Sequence, residues 1–275
     1  RLPAMSTDET IEGAGLERRA ARPPLAAVQA GLRRAICGLA DIILPPSCVG
    51  CQGRVVSHDT LCPSCWRGID FICAPLCDRL GIPLPYDTGG VMISAAAVSD
   101  PPDYDRARAV ALYNGLMRRL IHDLKYKDTH HARRLFGRWL TVTGGELIAN
   151  CDVIAAVPLA RGRLIMRRFN QAQILANEVA RLSGKPVAPL ALARTRKTRQ
   201  QVGLSRSERQ RNVAGAFAVP AGQVSHVGGR AVLLIDDVIT TGATASAAAR
   251  ALKKAGARRV DVLALAIAGS TPVGP

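Results

Sequence analysis

Aromatic residues are scarce in this sequence. Phe, Trp and Tyr make up 4% of the 275 residues, whereas hydrophobic residues as a whole make up 48%. The interior must therefore be filled mainly by Ala, Val, Leu and Ile rather than by rings. A hydrophobic fraction of this size argues against intrinsic disorder, and the length favours a main domain with a small appended module.

Long hydrophobic runs are absent as well. No run of about 18 apolar residues occurs, which excludes an ordinary membrane-spanning helix. The longest early apolar stretch, residues 35–44, contains Asp41 and is too short and too interrupted for a secretion signal. We therefore expect a cytoplasmic protein without a membrane span, whose eight cysteines do not form a disulfide framework.

Acidic residues are few in comparison with basic residues. The chain has 21 Asp plus Glu against 37 Lys plus Arg, which leaves a net charge of +16. This balance is expected of a protein that meets phosphates, either in nucleic acid or in a small anionic substrate. The excess is concentrated in residues 161–211, where 13 basic residues accompany two glutamates. A solvated basic face without a ligand is the structural alternative.

The pattern along the chain divides it into three parts. Residues 1–44 read as a mobile tail and a packing helix, and residues 45–88 form a small module rich in Cys and Pro. Residues 91–270 alternate apolar runs with helical patterns, which predicts an α/β fold with parallel strands and crossover helices. The predicted strands are 153–157, 232–235 and 260–266, and the predicted helices are 170–182 and an Ala-rich stretch that ends at 255.

Four cysteines in the small module predict a zinc site. Cys48-x2-Cys51 and Cys62-x2-Cys65 are separated by ten residues, so two pairs of thiolates can converge on one tetrahedral Zn²⁺. A module of this size cannot bury enough apolar surface to fold without such a link. A redox dithiol is the alternative, although redox chemistry would not need two matched pairs.

The most informative segment is residues 232–244. Its first four residues, 232–235, are apolar and suit a strand buried on both faces of a sheet. Asp236 and Asp237 then lie at the carboxyl end of that strand, where open α/β sheets bind ligands. Carboxylates can hold ribose hydroxyls, or Mg²⁺ through water. The turn that follows leads into a helix whose free N–H groups can hold a phosphate, and it consists of Thr240, Thr241, Gly242, Ala243 and Thr244.

These features together predict a sugar-phosphate ligand. The alternative is an acidic strand end that only caps the next helix. Competing motifs are missing, since the chain has no Walker A sequence, no G-x-G-x-x-G, no H-E-x-x-H and no G-x-S-x-G.

Residues 232–244 resemble the phosphoribosyl pyrophosphate (PRPP) motif of the type I phosphoribosyltransferases. Residues 45–268 as a whole resemble the ComF family of competence-associated phosphoribosyltransferase-like proteins. This wider resemblance implies a type I phosphoribosyltransferase-like parallel sheet with helices on both faces, preceded by a small zinc ribbon. Besides the cysteine module, it rests on Leu124-Lys125-Tyr126, Val157-Pro158-Leu159, Arg168-Phe169-Asn170-Gln171, residues 201–205, Arg209, Asn212-Val213 and Gly215-Ala216-Phe217.

The resemblance also implies roles for individual residues. Asp236 and Asp237 would be the catalytic carboxylates at the ribose hydroxyls, with Mg²⁺, and the turn from Thr240 to Thr244 would surround the 5′-phosphate. The residues near the pyrophosphate would be Val157, Pro158, Leu159 and Arg161. Residues 194–211 would form a mobile lid over the site. Basic groups that neutralise the leaving pyrophosphate are useful in such a reaction, and the candidates are Arg167, Arg168, Arg194, Arg196, Lys197 and Arg199.

The sequence departs from the family pattern in two places. A second ribbon retains only Cys73 and Cys77, and residues 94–99 offer no thiols, so we expect one zinc ion. Ala160 follows Val157-Pro158-Leu159 where family members often have His, and we therefore assign no catalytic role to that position.

The expected function is binding of PRPP with Mg²⁺, for transfer or sensing of phosphoribosyl groups, in association with DNA uptake. The alternative is a non-catalytic competence factor that binds single-stranded DNA and retains a PRPP pocket, although the scarcity of aromatic residues weakens base stacking. Other competence or DNA-uptake proteins are the further partners considered. The acceptor depends on side-chain geometry that the sequence does not specify.

Overall fold

The computed structural model of the protein describes residues 45–126, 130–159, 169–196 and 206–269. The tail and helix predicted for residues 1–44 lie outside this part of the chain. The main strands are Arg106–Leu112 (β1), Val153–Ala156 (β2), Ala231–Ile239 (β5) and Arg259–Ile267 (β6), and a separate antiparallel pair is formed by Ala193–Arg194 (β3) and Phe217–Ala218 (β4). The main sheet has the order β1-β6-β5-β2, and all of its neighbouring strands are parallel.

The helices vary in length from four to fourteen residues. They are Pro63–Arg67 (α1), Ala95–Ser99 (α2), Gly115–Tyr126 (α3), His130–Thr143 (α4), Gly145–Ala149 (α5), Gln171–Ser183 (α6), Arg206–Val213 (α7), Val224–Val227 (α8) and Ala243–Lys254 (α9), with a short 3-10 turn at Ala221–Gln223. Among the described residues, none of these helices has the length and apolar character that a membrane crossing requires.

Successive residues of the central strands point to opposite faces of the sheet, and both faces are covered. Leu233 and Ile235 of β5 belong to one buried cluster, which includes side chains of α3, α4 and α6. Val232 and Leu234 belong to a second cluster, which includes side chains of α9. Burial on both faces explains why these strands read as continuous apolar runs. The predicted α/β fold, a parallel sheet with helices on both faces, is confirmed.

The structure extends the predicted elements in two ways. Strand β5 continues past Ile235 to Ile239, so the two aspartates lie within the strand rather than after it. Strand β1 was not predicted, because Arg106 and Arg108 interrupt its apolar residues. Its alanines nevertheless lie buried, and both arginine side chains reach out to Asp78 of the cysteine module.

The cysteine module packs on β1. The Ile72 N–H donates to the Val110 carbonyl at 3.0 Å, and the Leu112 N–H donates to the Asp70 carbonyl at 2.9 Å, which adds a short antiparallel segment to the edge of the sheet. The rings of Phe71, Trp66 and Trp139 form one cluster, in which the Phe71 centroid lies 4.7 Å from that of Trp66 and 5.3 Å from that of Trp139. The described residues from Pro46 onward accordingly belong to one compact unit, and the boundary near residues 88–91 stays a prediction.

Candidate functional site

The four cysteines of the paired motifs converge at one point. The sulfur atoms of Cys48, Cys51, Cys62 and Cys65 all lie within 4.8 Å of one another. Backbone N–H groups support this arrangement, since Cys62 N donates to the Cys48 sulfur at 3.2 Å and Cys65 N donates to the Cys62 sulfur at 3.4 Å. Four thiol groups at this spacing match the donor set of a closed, tetrahedral zinc site. The predicted grouping of the cysteines is confirmed, and it fits a structural Zn²⁺.

The Cys48 thiol has a lowered pKa, which favours the thiolate form. Burial raises its pKa, but hydrogen bonds from the backbone N–H groups of Cys62, Cys51 and Gly50 outweigh burial and lower the pKa to about 6. The thiolate is the form that binds a metal. Burial, and then the neighbouring thiols, raise the pKa of Cys65 in the same cluster, so the low pKa of Cys48 does not extend to all four ligands.

Cys73 and Cys77 lie apart from this cluster. Cys73 is exposed, whereas Cys77 is buried and its sulfur accepts hydrogen bonds from Ser94 N at 3.2 Å and Leu80 N at 3.5 Å. Ser94 also caps α2, since its hydroxyl accepts a hydrogen bond from Ala97 N at 3.3 Å. Within the described residues, the four-cysteine group is the single cluster with metal-ligand spacing.

The two aspartates of β5 occupy the part of the strand where its burial decreases. Asp237 N donates to Oδ1 of Asp236 at 2.8 Å, and Val238 N donates to Oδ1 of Asp237 at 2.8 Å, so both carboxylates are held close to the backbone. The second oxygen of Asp237, Oδ2, lies 2.6 Å from Nζ of Lys125 in the last turn of α3. Burial, and then the charge of Asp237, raise the pKa of Asp236 well above its usual range.

The turn after β5 has the geometry of an anion cradle. Gly242 has φ of +75° and caps α9, which directs the first N–H groups of this twelve-residue helix toward the turn. The Thr241 hydroxyl is buried and has no hydrogen-bond partner among the described residues. A buried hydroxyl without a partner is destabilising unless a ligand or water completes it. The donor set therefore fits a phosphate group.

The predicted pyrophosphate segment is only partly described. Val157, Pro158 and Leu159 follow directly after β2, next to β5 at the same edge of the sheet. The Asn170 side chain connects this segment to α6, because its Nδ2 donates to the Val157 carbonyl at 3.1 Å while its Oδ1 accepts from Ala172 N at 3.2 Å. Arg161, Arg167 and Arg168 lie outside the described residues.

Both ends of the predicted lid contact other residues of the domain. Arg194 lies in β3 with its guanidinium 5.2 Å from the centre of the Phe217 ring, and Arg196 donates to the carbonyl groups of Arg211 and Asn212 at 3.3 and 3.1 Å. Helix α7 packs against α9. These contacts involve only the two ends of residues 194–211, so the lid itself stays a prediction, and Lys197 and Arg199 lie outside the described residues.

Sequence reasoning missed two neighbours of the site. Lys125 belongs to the Leu124-Lys125-Tyr126 motif, but the motif alone predicts no role for it. Tyr104 packs beside the turn, and a Cβ atom at position 242 would lie 3.3 Å from its hydroxyl. The motif offered a signal for Lys125, whereas the sequence around Tyr104 offered none.

Comparisons with known proteins agree with this architecture. Residues 39–96 match the double zinc ribbon domain, and residues 169–273 match the phosphoribosyl transferase domain. The chain is 30% identical over 226 residues to DNA utilization protein YhgH of Escherichia coli, which covers 79% of this chain and 88% of that protein. It is 27% identical over 225 residues to competence protein F of Haemophilus influenzae, covering 80% of this chain and 96% of that protein.

Solved structures share a smaller part of the chain. A purine phosphoribosyltransferase from Pyrococcus horikoshii matches 51% of this chain and 77% of its own, with 23% identity and a TM-score of 0.31.

Proposed function

The chain belongs to the ComF family of phosphoribosyltransferase-like proteins, and on this premise we propose that it binds PRPP with Mg²⁺ at the carboxyl end of β5. The observation that carries the proposal is the buried Thr241 hydroxyl, which has no partner among the described residues and lies in the turn after β5, the strand that carries Asp236 and Asp237. A sugar phosphate would complete both parts of this arrangement at once. Its ribose hydroxyls would meet the carboxylates, and its 5′-phosphate would meet the turn.

The residues of the chain have separate roles in this proposal. Asp236 and Asp237 accept hydrogen bonds from the ribose hydroxyls, and their oxygens are the ligand type that Mg²⁺ prefers. Mg²⁺ supplies charge neutralisation for the pyrophosphate when it is bound. The N–H groups at the start of α9 and the Thr241 hydroxyl hold the 5′-phosphate. Val157, Pro158 and Leu159 border the pyrophosphate side, where basic residues of 161–168 and 194–199 would add positive charge.

The proposed chemistry is transfer of the phosphoribosyl group. The bond between ribose C1 and the pyrophosphate oxygen breaks, pyrophosphate leaves with the electron pair, and an acceptor forms the new bond to C1. Positive charge fixed around the leaving group stabilises this transition state. A protein that only senses PRPP would use the same contacts without the acceptor.

Replacing both aspartates with asparagine tests the proposal. The variant keeps the shape of the side chains but loses charge-assisted hydrogen bonds of roughly 1.5 to 3 kcal/mol each, so PRPP affinity should fall more than tenfold in calorimetry with Mg²⁺. Asp87→Asn is the matched control, because Asp87 is exposed and its contact is with the nearby Gly89 N–H. Equal PRPP affinity in the wild type and the double variant would contradict the proposal. Pyrophosphate release in a screen of bases and amines would then separate transfer from sensing.

A second candidate function is the handling of single-stranded DNA during uptake. The names of the two relatives refer to competence and DNA utilization, and the net charge of +16 suits contact with a phosphate backbone. In that case the PRPP pocket would regulate DNA binding rather than turn over a substrate.

A further inference from the structure

Lys125 is seated on the acid pair from a different element of the fold. Its Nζ lies 2.6 Å from Oδ2 of Asp237, and the two side chains retain only 18% and 20% of their exposure. Because both side chains are partly buried, the ammonium group of Lys125 interacts with the charge of Asp237 more strongly than it would in a fully exposed ion pair. Lys125 is therefore part of the site, although its helix begins at Gly115, 121 residues before Asp236 in the sequence.

Both oxygens of Asp237 already have a partner. Oδ1 accepts a hydrogen bond from Val238 N at 2.8 Å, and Oδ2 is paired with Lys125. Oδ2 is the oxygen without a backbone hydrogen bond, so a divalent cation that binds Asp237 at this oxygen comes into contact with the ammonium group of Lys125. Two positive ions cannot share this oxygen without strong repulsion, so occupation by Lys125 and by a metal compete.

Helix α3, which carries Lys125 in its last turn, packs against the cysteine module at its first turn. Gly115 and Leu116 begin this helix beside the zinc cluster, where they and Arg119 border a cavity of about 620 Å³ together with Cys51, Cys62 and Cys65. Leu116, Leu120 and Leu124 are buried in the same cluster as Ile69 of the cysteine module. Packing of these leucines thus holds the helix that places Lys125 beside Asp237.

We propose that Lys125 is a positioning residue that occupies the place of the divalent cation at Asp237 in the ligand-free protein, so that the metal enters only together with PRPP. The inference rests on the proposed function for the part that concerns PRPP. Displacing the lysine opposes binding of a bare cation, whereas a cation that arrives with a phosphorylated sugar gains further contacts with the site. The competition between Lys125 and the metal does not itself depend on PRPP.

Titration with Mn²⁺, a paramagnetic substitute for Mg²⁺, tests the competition without PRPP. Lys125→Met should bind Mn²⁺ at least tenfold more tightly than the wild type, measured by electron paramagnetic resonance. Lys125→Arg keeps the charge and should restore the wild-type value. Arg118→Met removes a positive charge from an exposed position of the same helix and should leave Mn²⁺ affinity unchanged. If the methionine variant does not fold, Lys125→Gln provides the same comparison.

The outcomes separate this inference from the proposed function. Equal Mn²⁺ affinity in the wild type and the folded Lys125 variant would overturn the inference, as would an equal gain in Arg118→Met. A tenfold gain confined to the neutral Lys125 variants supports it, even in a protein that fails to bind PRPP. Where PRPP binds, it should raise Mn²⁺ affinity by a larger factor in the wild type than in Lys125→Met, because only the wild type must first move the lysine.

Discussion

Asp236 shows the conflict between stability and ligand binding at the scale of one residue. Its carboxyl group is partly withdrawn from water and lies beside a second carboxylate, and both conditions disfavour its ionised form. The backbone N–H of Asp237 offsets only part of this effect. Such a position is expected where a ligand, rather than the fold, needs the negative charge.

Asp236→Asn should therefore stabilise the ligand-free protein, and more so as the pH rises. The pKa of Asp236 is raised in the folded state, so its contribution to stability is complete below the unfolded pKa of about 3.9 and is lost as the pH increases through the folded pKa. Asparagine has no such dependence and keeps the acceptor for Asp237 N. Urea unfolding in chelator-treated buffer at pH 5 and pH 8 checks this. A variant less stable than the wild type at pH 8 would contradict it.

Gly242 is required in the turn for two reasons that can be measured separately. Its φ of +75° is unfavourable for other residues, and an added Cβ would lie 3.3 Å from the Tyr104 hydroxyl. Gly242→Ala should lower the free energy of unfolding by about 1 to 3 kcal/mol in urea denaturation. Gly184→Ala is the control, because its φ is +72° but nothing lies within 4 Å. If both variants lost the same free energy of unfolding, the contact with Tyr104 would have no measurable effect on stability.

Individual contacts were the hardest level to predict from the sequence. The cysteine spacing predicted the four-sulfur cluster because ligands close in sequence must meet locally. The pairing of Lys125 with Asp237 depends on how α3 packs across the sheet, and no local pattern encodes that. The orientation of Tyr104 toward Gly242 depends in the same way on a distant part of the chain.

The zinc ribbon stabilises an element that has little apolar surface of its own. Cys62→Ser removes one of four ligands, so the protein should lose zinc and the free energy of unfolding should fall by on the order of 4 kcal/mol. Cys73→Ser is the control, because Cys73 is exposed and outside the cluster. Elemental analysis and urea unfolding measure the two effects. A Cys62→Ser protein with the wild-type zinc content, or a wild type purified without chelator that contains no zinc, would contradict the prediction.

Elements were predictable where their burial is uniform. Strands β2, β5 and β6 are buried on both faces and were found from their apolar runs. Strand β1 was missed because Arg106 and Arg108 are paired with Asp78, which satisfies their charge without leaving an apolar pattern. The helical part of the lid, α7, was missed because its sequence is almost entirely polar.

At the scale of the whole molecule, the fold class could be predicted from the alternation of elements and from the family resemblance. The packing of the cysteine module against the edge of the main sheet could not be predicted. Hydrogen bonds from the 70–72 segment to β1 and the contacts of Asp78 tie the cysteine module to the edge of the sheet. Burial of Asp78 raises the pKa of its carboxyl group. Hydrogen bonding to Arg108 and the charge of Arg106 have the opposite and larger effect, so the pKa is lowered. A sequence divided at composition changes does not show such links.

The net charge of +16 leads to a prediction about how the whole molecule would bind single-stranded DNA. If its basic surface binds single-stranded DNA, affinity should show little sequence preference and fall steeply with salt, because each neutralised phosphate releases about 0.7 counterion. Changing Arg167, Arg168 and Arg199 together to Ala should weaken PRPP and DNA binding alike and reduce the salt slope by about 2. Arg258→Ala, an exposed position at the amino edge of the sheet, is the control. The measurement is a gel-shift titration at several salt concentrations. It is repeated with PRPP, which should compete with the DNA for binding. No shift at micromolar protein would remove the DNA function, and a shift indifferent to PRPP would assign DNA to a separate surface.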